Sequence, residues 1–176
     1  MKPHKYLLIV SMFAFASCGE KNETTDTKES ANSNELESII VKTAPENAQS
    51  IYVAREKAKP GDKLTIQGKV MGARQVFVDG RAILKLGDPE LITSCDLIPG
   101  DSCETPWDVC CDDPDTIKES TLTVQVVDAD GKVLKSGFKG VSGIKELSKL
   151  VVTGTVAEGS NKDNLLLNAT AIYVKP

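Results

Sequence analysis

The sequence predicts an all-β domain with one or two short helices. From Leu64 onward, apolar residues mostly alternate with polar ones, which is typical of half-buried strands. Gly, Asp and Asn divide this pattern into short runs, which favours tight turns over long helices. About 140 residues follow an N-terminal signal and spacer, enough for one domain with a single core.

The first three predicted strands lie in the middle of the chain. The first covers residues 63–71, where Gly68 predicts a bulge or a bend. The second covers residues 75–86, and Asp79-Gly80 within it marks either a tight turn or a bulge in one long strand. The third covers residues 121–127 and leads into a turn rich in Asp and Gly.

The remaining elements are two strands and two short helices. Residues 141–150 carry apolar side chains at spacings of three, which predicts a short helix. The last two strands, residues 151–156 and 165–174, are joined by a polar turn. Residues 48–57 predict another short helix before the first strand.

The order of three strands, a short helix and two strands resembles the OB-fold, a five-stranded Greek-key barrel. The phrase VVTGTVAEGS, followed by LLLNATAIYV, is similar to the closing hairpin of bacterial OB domains. The resemblance covers residues 63–176 and implies a long cysteine-rich acidic insertion, residues 87–120, between strands 2 and 3. The chain also resembles a group of uncharacterised lipoproteins with phrases like FVDGRA and CETPWDVCCDDP, which implies no particular activity.

The N-terminus resembles a bacterial lipoprotein signal peptide. A basic start is followed by an apolar stretch, residues 6–15, that is too short to span a bilayer permanently, and Phe15-Ala-Ser-Cys18 ends it. The resemblance implies cleavage before Cys18, acylation of Cys18 and a protein anchored in the bacterial cell envelope, facing the periplasm or the exterior. An ordinary secretory signal peptide is the alternative.

These segments predict a simple organisation. Residues 1–17 are the signal peptide, and residues 18–37 are the acylated cysteine with a disordered tether rich in Glu, Lys, Asn, Ser and Thr. Residues 38–62 form an N-terminal extension with a helix, and residues 63–176 form the OB-like domain. The membrane is therefore an expected partner through the lipid anchor.

The charge and the histidine content of the chain limit the kinds of function that we expect. The chain has 21 Lys and Arg, 25 Asp and Glu, and one His, which is His4 inside the predicted signal peptide. The mature domain therefore lacks imidazole as a general base or metal ligand, and no hydrolase, phosphate-binding or metalloprotease motif is present. We expect neither an enzyme nor a cofactor. Acidity disfavours nucleic-acid binding, which the OB-fold would suggest by analogy.

Basic residues do occur around the first two predicted strands. They are Lys63, Lys69, Arg74, Arg81 and Lys85. The expected role of such residues is to form the polar outer face of half-buried strands.

Four cysteines lie within the predicted insertion: Cys95, Cys103, Cys110 and Cys111. In an oxidising compartment, four cysteines most often form two disulfides. A bridge between the neighbours Cys110 and Cys111 would be strained, so each is expected to pair with Cys95 or Cys103, in either combination. The alternatives are a thiolate site for zinc or copper(I), although no CxxC pair is present, and a redox-active disulfide.

The same insertion is acidic, with nine carboxylates and no Lys or Arg from Leu86 to Ile117. A solvated acidic loop is expected because no calcium-loop spacing is present. The alternative is a hard cation held by Asp112, Asp113 and Asp115.

Trp107, the sole tryptophan, is expected to pack over the disulfides as a small core for the loop. An exposed recognition residue is the alternative, together with Arg74 and Arg81. The sequence thus predicts a lipid-anchored binding or structural module of the cell envelope, with an envelope protein, peptide or glycan as partner. A metal-handling or redox lipoprotein is the alternative function.

Overall fold

The protein is described by a computed structural model that covers residues 34–176. Its strands form one closed barrel with the order β1-β2-β3-β5-β4. The strands are β1 (Lys63–Lys69), β2 (Ile83–Gly87), β3 (Thr121–Gln125), β4 (Lys149–Val156) and β5 (Leu166–Val174). The predicted fold class, mostly strands with a few short helices, is therefore confirmed.

Strand pairing is antiparallel around the barrel except between β3 and β5, which run parallel from Thr123↔Leu166 to Gln125↔Asn168. The longest strand, β5, pairs with β4, and β4 pairs with β1 along all of β1. β1 and β2 share the single pair Lys69↔Gly87. The barrel is therefore most continuous across β1, β4 and β5.

A helix before the barrel packs onto β1. Helix α1 (Ile51–Lys57) begins after Ser50, whose hydroxyl accepts a hydrogen bond from the Val53 N–H. Ile51 is fully buried, and a Cβ on Gly68 would approach its Cδ1 to 3.2 Å. A Cβ on Gly68 would also meet the Gly87 carbonyl of β2 at 3.1 Å, so this glycine allows close packing of both α1 and β2. β1 pairs continuously with β4 through Gly68, so of the predicted bulge or bend there is no bulge.

The folded part of the chain begins earlier than the sequence suggested. Residues 34–38 are helical, Leu36 is fully buried in the core, and Ile40 forms a parallel bridge with Ile172. The last residues of the predicted tether therefore belong to the domain, because Leu36 completes its core. The predicted signal peptide, Cys18 and the rest of the tether lie outside the described residues.

Asp79-Gly80 forms a tight turn. Gly80 has a φ of 64°, Phe77 bridges to Leu84, and the Val78 N–H donates to the Ile83 carbonyl over 3.2 Å. The predicted second strand is therefore a hairpin, of which only the second arm is β2.

The helix predicted over residues 141–150 is wrong. A 3₁₀ turn (Val141–Gly143) stands there, followed by irregular backbone until β4 begins at Lys149. Gly140, Gly143 and Leu147 have φ values of 92°, 83° and 66°, which are incompatible with a continuing helix. Of the four apolar residues at this spacing, Ile144 and Leu150 are buried and Val141 packs against the core, although only Leu150 lies in a regular element, β4.

Helix α2 (Pro114–Glu119) was not predicted. The Asp113 carboxylate accepts hydrogen bonds from the N–H groups of Asp115 and Thr116, and Pro114 occupies the first turn. The sequence signal for this cap is the pair Asp113-Pro114. The helix itself ends shortly before β3 begins. Within residues 34–176, no helix has the length and apolarity needed to cross a bilayer.

The main core fills the barrel and the space beneath the loops. Phe138, from the connection between β3 and β4, is fully buried within it. The strands contribute Ile66, Leu84, Val124, Val152 and Leu167.

Candidate functional site

The segment between β2 and β3, residues 88–120, folds against one side of the barrel. A 3₁₀ turn (Cys95–Leu97) lies beside residues 106–108, where the Cys95 N–H donates to the Asp108 carbonyl and the Asp96 N–H to the Pro106 carbonyl, each over 2.9 Å. The two stretches are thus held side by side by main-chain hydrogen bonds.

A second, smaller apolar cluster supports this segment. It consists of the buried residues Met71, Ile92 and Val109, with Trp107 and Ile117 packed against it. Trp107 also packs against the main core, and its indole N–H donates to the Arg74 carbonyl over 3.0 Å. The tryptophan is half-buried and connects the two clusters, while its predicted packing over disulfides stays a prediction.

A buried lysine from the barrel enters the acidic segment. The Lys69 ammonium donates to the Ser94 hydroxyl over 2.8 Å and to the Asp96 carboxylate over 3.3 Å. Lys69 is 7% exposed and Ser94 1%. Lys69 therefore anchors the loop and is not a surface charge of β1. This role was not predicted because the sequence does not show which outward-facing residues of a strand are covered by a loop from a distant part of the chain.

Three of the four cysteine sulfurs lie together. The Sγ atoms of Cys95, Cys103 and Cys110 are all within 4.8 Å of one another, and Cys95 and Cys110 Sγ are 3.9 Å apart. Cys95 is buried, Cys103 half-buried and Cys110 exposed, so the cluster opens to solvent on one side. All four cysteines, including the exposed Cys111, are thiols in this structure, and disulfide formation stays a prediction.

The thiols differ in acidity. Burial, with hydrogen bonds to neighbouring thiols, raises the pKa of Cys95 above its usual range. The Thr105 hydroxyl, 3.3 Å from Cys103 Sγ, and the Thr105 main chain lower the pKa of Cys103. The adjacent Cys110 thiol raises the pKa of Cys111. Of these three thiols, Cys103 is the one whose pKa is lowered, so it ionises more readily than Cys95 and Cys111.

Two of the three aspartates considered for a hard cation, Asp112 and Asp113, serve local structure. Asp113 caps α2, and the Asp112 carboxylate accepts a hydrogen bond from the Thr93 N–H over 2.7 Å. Asp115 is exposed in the first turn of α2. Among the described residues, these carboxylates do not converge as the three sulfurs do.

Two of the three predicted recognition residues meet in one cleft. Arg74 and Trp107 line a depression of about 160 Å³, the tryptophan cleft, together with Phe77 and an ion pair from the connection between β3 and β4. In that pair, Lys139 Nζ lies 2.6 Å from Glu146 Oε1. The sequence did not indicate Lys139 or Glu146, because the residues between them were predicted to be helical.

Arg81 lies elsewhere. It is exposed and lines a separate depression with Asp128, Asp130 and Lys132, at the turn that follows β3. The basic residues of the first two predicted strands therefore do not act as one surface: Lys69 is buried, Arg74 borders the tryptophan cleft, and Arg81 belongs to another region.

Models of protein families, curated proteins and solved structures were all compared with this chain, and none of the three comparisons finds a match.

Proposed function

We propose that the protein is a lipid-anchored binding module of the bacterial cell envelope. The N-terminal pattern that ends in Cys18 supports the anchor, and the polar stretch after Cys18 supports a spacer between membrane and domain. A domain attached in this way samples the space next to the membrane, where envelope proteins and cell-wall polymers are its accessible partners.

We infer that the barrel is an OB-fold with a cysteine-rich insertion between β2 and β3. The strand order β1-β2-β3-β5-β4 and the parallel pairing of β3 with β5 support this inference. OB-folds bind ligands on the face of strands 2 and 3 and with the loops that follow strands 1 and 4. Arg74 lies in the loop after β1. The tryptophan cleft therefore lies at one of the loops that OB-folds use to bind ligands.

The observation that carries the proposal is the meeting of Trp107, Arg74 and Phe77 in one cleft. A half-buried indole can stack on sugar or proline rings through its exposed part. Arg74 and Lys139 provide hydrogen-bond donors, and Glu146 provides acceptors. These groups suit an uncharged or zwitterionic ligand such as a glycan or a peptide. The acidic segment from which Trp107 comes repels phosphate backbones, which disfavours nucleic acid.

The anchor is tested by Cys18→Ala in the full chain expressed in a bacterial host. Wild-type protein is expected in the membrane fraction and to incorporate labelled fatty acid. The variant should lose the label and leave the membrane fraction, because acyl chains supply most of the membrane affinity. A membrane-bound, unlabelled wild-type protein would contradict lipidation.

Ligand binding is tested by co-sedimentation of the full chain, in detergent, with purified peptidoglycan sacculi. Arg74→Ala should weaken binding by about fivefold, the effect of about 1 kcal/mol. Arg81→Ala is the matched control, because it removes an exposed arginine outside the cleft. Equal loss in both variants, or no sedimentation of the wild type, argues against cell-wall recognition at this cleft.

A further inference from the structure

The thiol cluster differs from a pair of disulfide partners. A disulfide joins one sulfur to one other at about 2.0 Å. Here three sulfurs are mutual neighbours within 4.8 Å, and the Sγ atoms of Cys95 and Cys110 are 3.9 Å apart. Two sulfurs bound to one metal ion at about 2.3 Å in tetrahedral or trigonal geometry lie about 3.8 to 4.0 Å apart.

We propose that Cys95, Cys103 and Cys110 form a three-thiolate site for one thiophilic metal ion, zinc or copper(I). Both ions have filled d shells and prefer thiolate sulfur, and the mature domain has no histidine to compete as a ligand. Cys111 is outside the ligand set. The open side of the cluster leaves a further coordination position for solvent or for a ligand exchanging the ion.

The loop positions these ligands before any ion arrives. The Cys95 N–H is bound to the Asp108 carbonyl, and the Cys103 N–H donates to the Asp101 carboxylate over 2.8 Å. Cys110 directly follows Val109, which is fully buried in the small apolar cluster. Three separate stretches of the segment are thus fixed by hydrogen bonds and packing, which reduces the entropy lost when an ion binds.

Local charge favours a cation. Nine carboxylates lie between Leu86 and Ile117. The ammonium of Lys69, which enters this segment from the barrel, pairs with only one of them, Asp96, and also donates to Ser94. The surrounding potential is therefore negative, which raises the local concentration of metal ions. On binding, each thiol transfers its proton to solvent and donates a sulfur lone pair to the ion, with no change in oxidation state.

The experiment uses the full chain with its own N-terminus, extracted in detergent under anaerobic conditions. A separate portion is denatured with a chelator present and then treated with a thiol alkylator, only to count the free thiols. Elemental analysis and native mass spectrometry are expected to show one zinc or copper ion per chain. A metal-free, reduced sample is then titrated with Co²⁺, whose sulfur-to-metal charge-transfer absorption reports thiolate ligation directly.

Cys110→Ser is the informative variant, because its side chain is exposed and its loss leaves the core intact. It should weaken cobalt binding by at least about tenfold and reduce the charge-transfer absorption. Cys111→Ser is the matched control, since it removes an exposed neighbouring thiol, and it should bind cobalt like the wild type.

Two results would overturn the proposal. One is protein with no alkylated thiol and a mass lowered by the hydrogens of two disulfides, which would establish the cystine framework expected for an oxidising compartment. The other is cobalt binding that Cys110→Ser leaves unchanged. Neither result affects sacculus binding at the tryptophan cleft, so the two proposals fail separately.

Discussion

Gly154 stands at the irregularity in the pairing of β4 with β5. The register shifts between Thr153 and Gly154, and a Cβ at Gly154 would collide with the main-chain carbonyl of Asn168. Because backbone cannot yield as a flexible side chain can, Gly154→Ala should lower the free energy of unfolding by about 1 to 3 kcal/mol. Urea denaturation of the full chain, followed by far-UV circular dichroism, measures this change.

Gly137→Ala is the control for that substitution. Its Cβ would find its nearest neighbour, the Gly80 nitrogen, at 3.7 Å, which is ordinary contact distance. We expect a change within about 0.5 kcal/mol. If both alanine variants were equally destabilised, the effect would come from glycine replacement in general and not from the close strand approach at Gly154.

Lys69 is the second residue whose environment predicts a measurable effect. Its ammonium is buried against Ser94 and Asp96, so Lys69→Ala removes the donor to the buried Ser94 hydroxyl and the countercharge of the partly buried Asp96 carboxylate, which keeps only the hydrogen bond from Ser94. The expected loss is about 1 to 3 kcal/mol in the free energy of unfolding, measured by urea denaturation. Lys63→Ala, at the exposed start of the same strand, should have almost no effect. Similar losses in both variants would contradict the anchoring role of Lys69.

Among the elements, α2 depends most visibly on one side chain. Asp113 caps its first turn, so Asp113→Ala should cost about 1 kcal/mol, whereas Asp113→Asn should retain most of the stability because Asn is an equally good cap. Thermal unfolding of the two variants compares these costs. Equal destabilisation by both would mean that the negative charge of Asp113 matters, as in a cation site with Asp112 and Asp115.

The strands could be predicted because the sequence features that define them lie within each strand and its adjacent turn. Alternation of apolar residues and the turn residues Asp79-Gly80 define hairpin arms without reference to the rest of the chain. The helix predicted over residues 141–150 failed because this connection has four positive φ angles, at Gly140, Ser142, Gly143 and Leu147, which depend on how it packs against the barrel. Spacing alone does not distinguish a helix from successive turns.

The site was less predictable than the fold. The sequence identified the four cysteines, Trp107 and Arg74, but not that three sulfurs converge or that Trp107 and Arg74 share a cleft. Lys69 illustrates the reason. It occupies an outward position of β1, and only the return of residues 94–96 onto that strand makes it buried. Contacts between segments distant in the chain carry no signature in either segment.

At the scale of the whole molecule, the barrel and the segment between β2 and β3 are joined by packing, hydrogen bonds and an ion pair as well as by the chain itself. Trp107 packs against both apolar clusters, the Gly72 N–H donates to the Trp107 carbonyl over 3.2 Å, and Lys69 holds Asp96. The segment therefore loses its own packing if it leaves the barrel, because Trp107 on the segment and Met71 after β1 are then both exposed.

This coupling predicts that the two parts unfold together. Trp107, the sole tryptophan, reports the segment by fluorescence, while far-UV circular dichroism reports mainly the strands of the barrel. With the cysteines reduced and metal removed, so that neither a covalent bridge nor an ion joins the stretches, the two urea transitions should coincide. Lys69→Ala should shift both to lower urea by the same amount. A fluorescence transition that precedes the dichroism transition would instead show that the segment unfolds independently, and that Trp107 packs on the barrel too weakly to couple them.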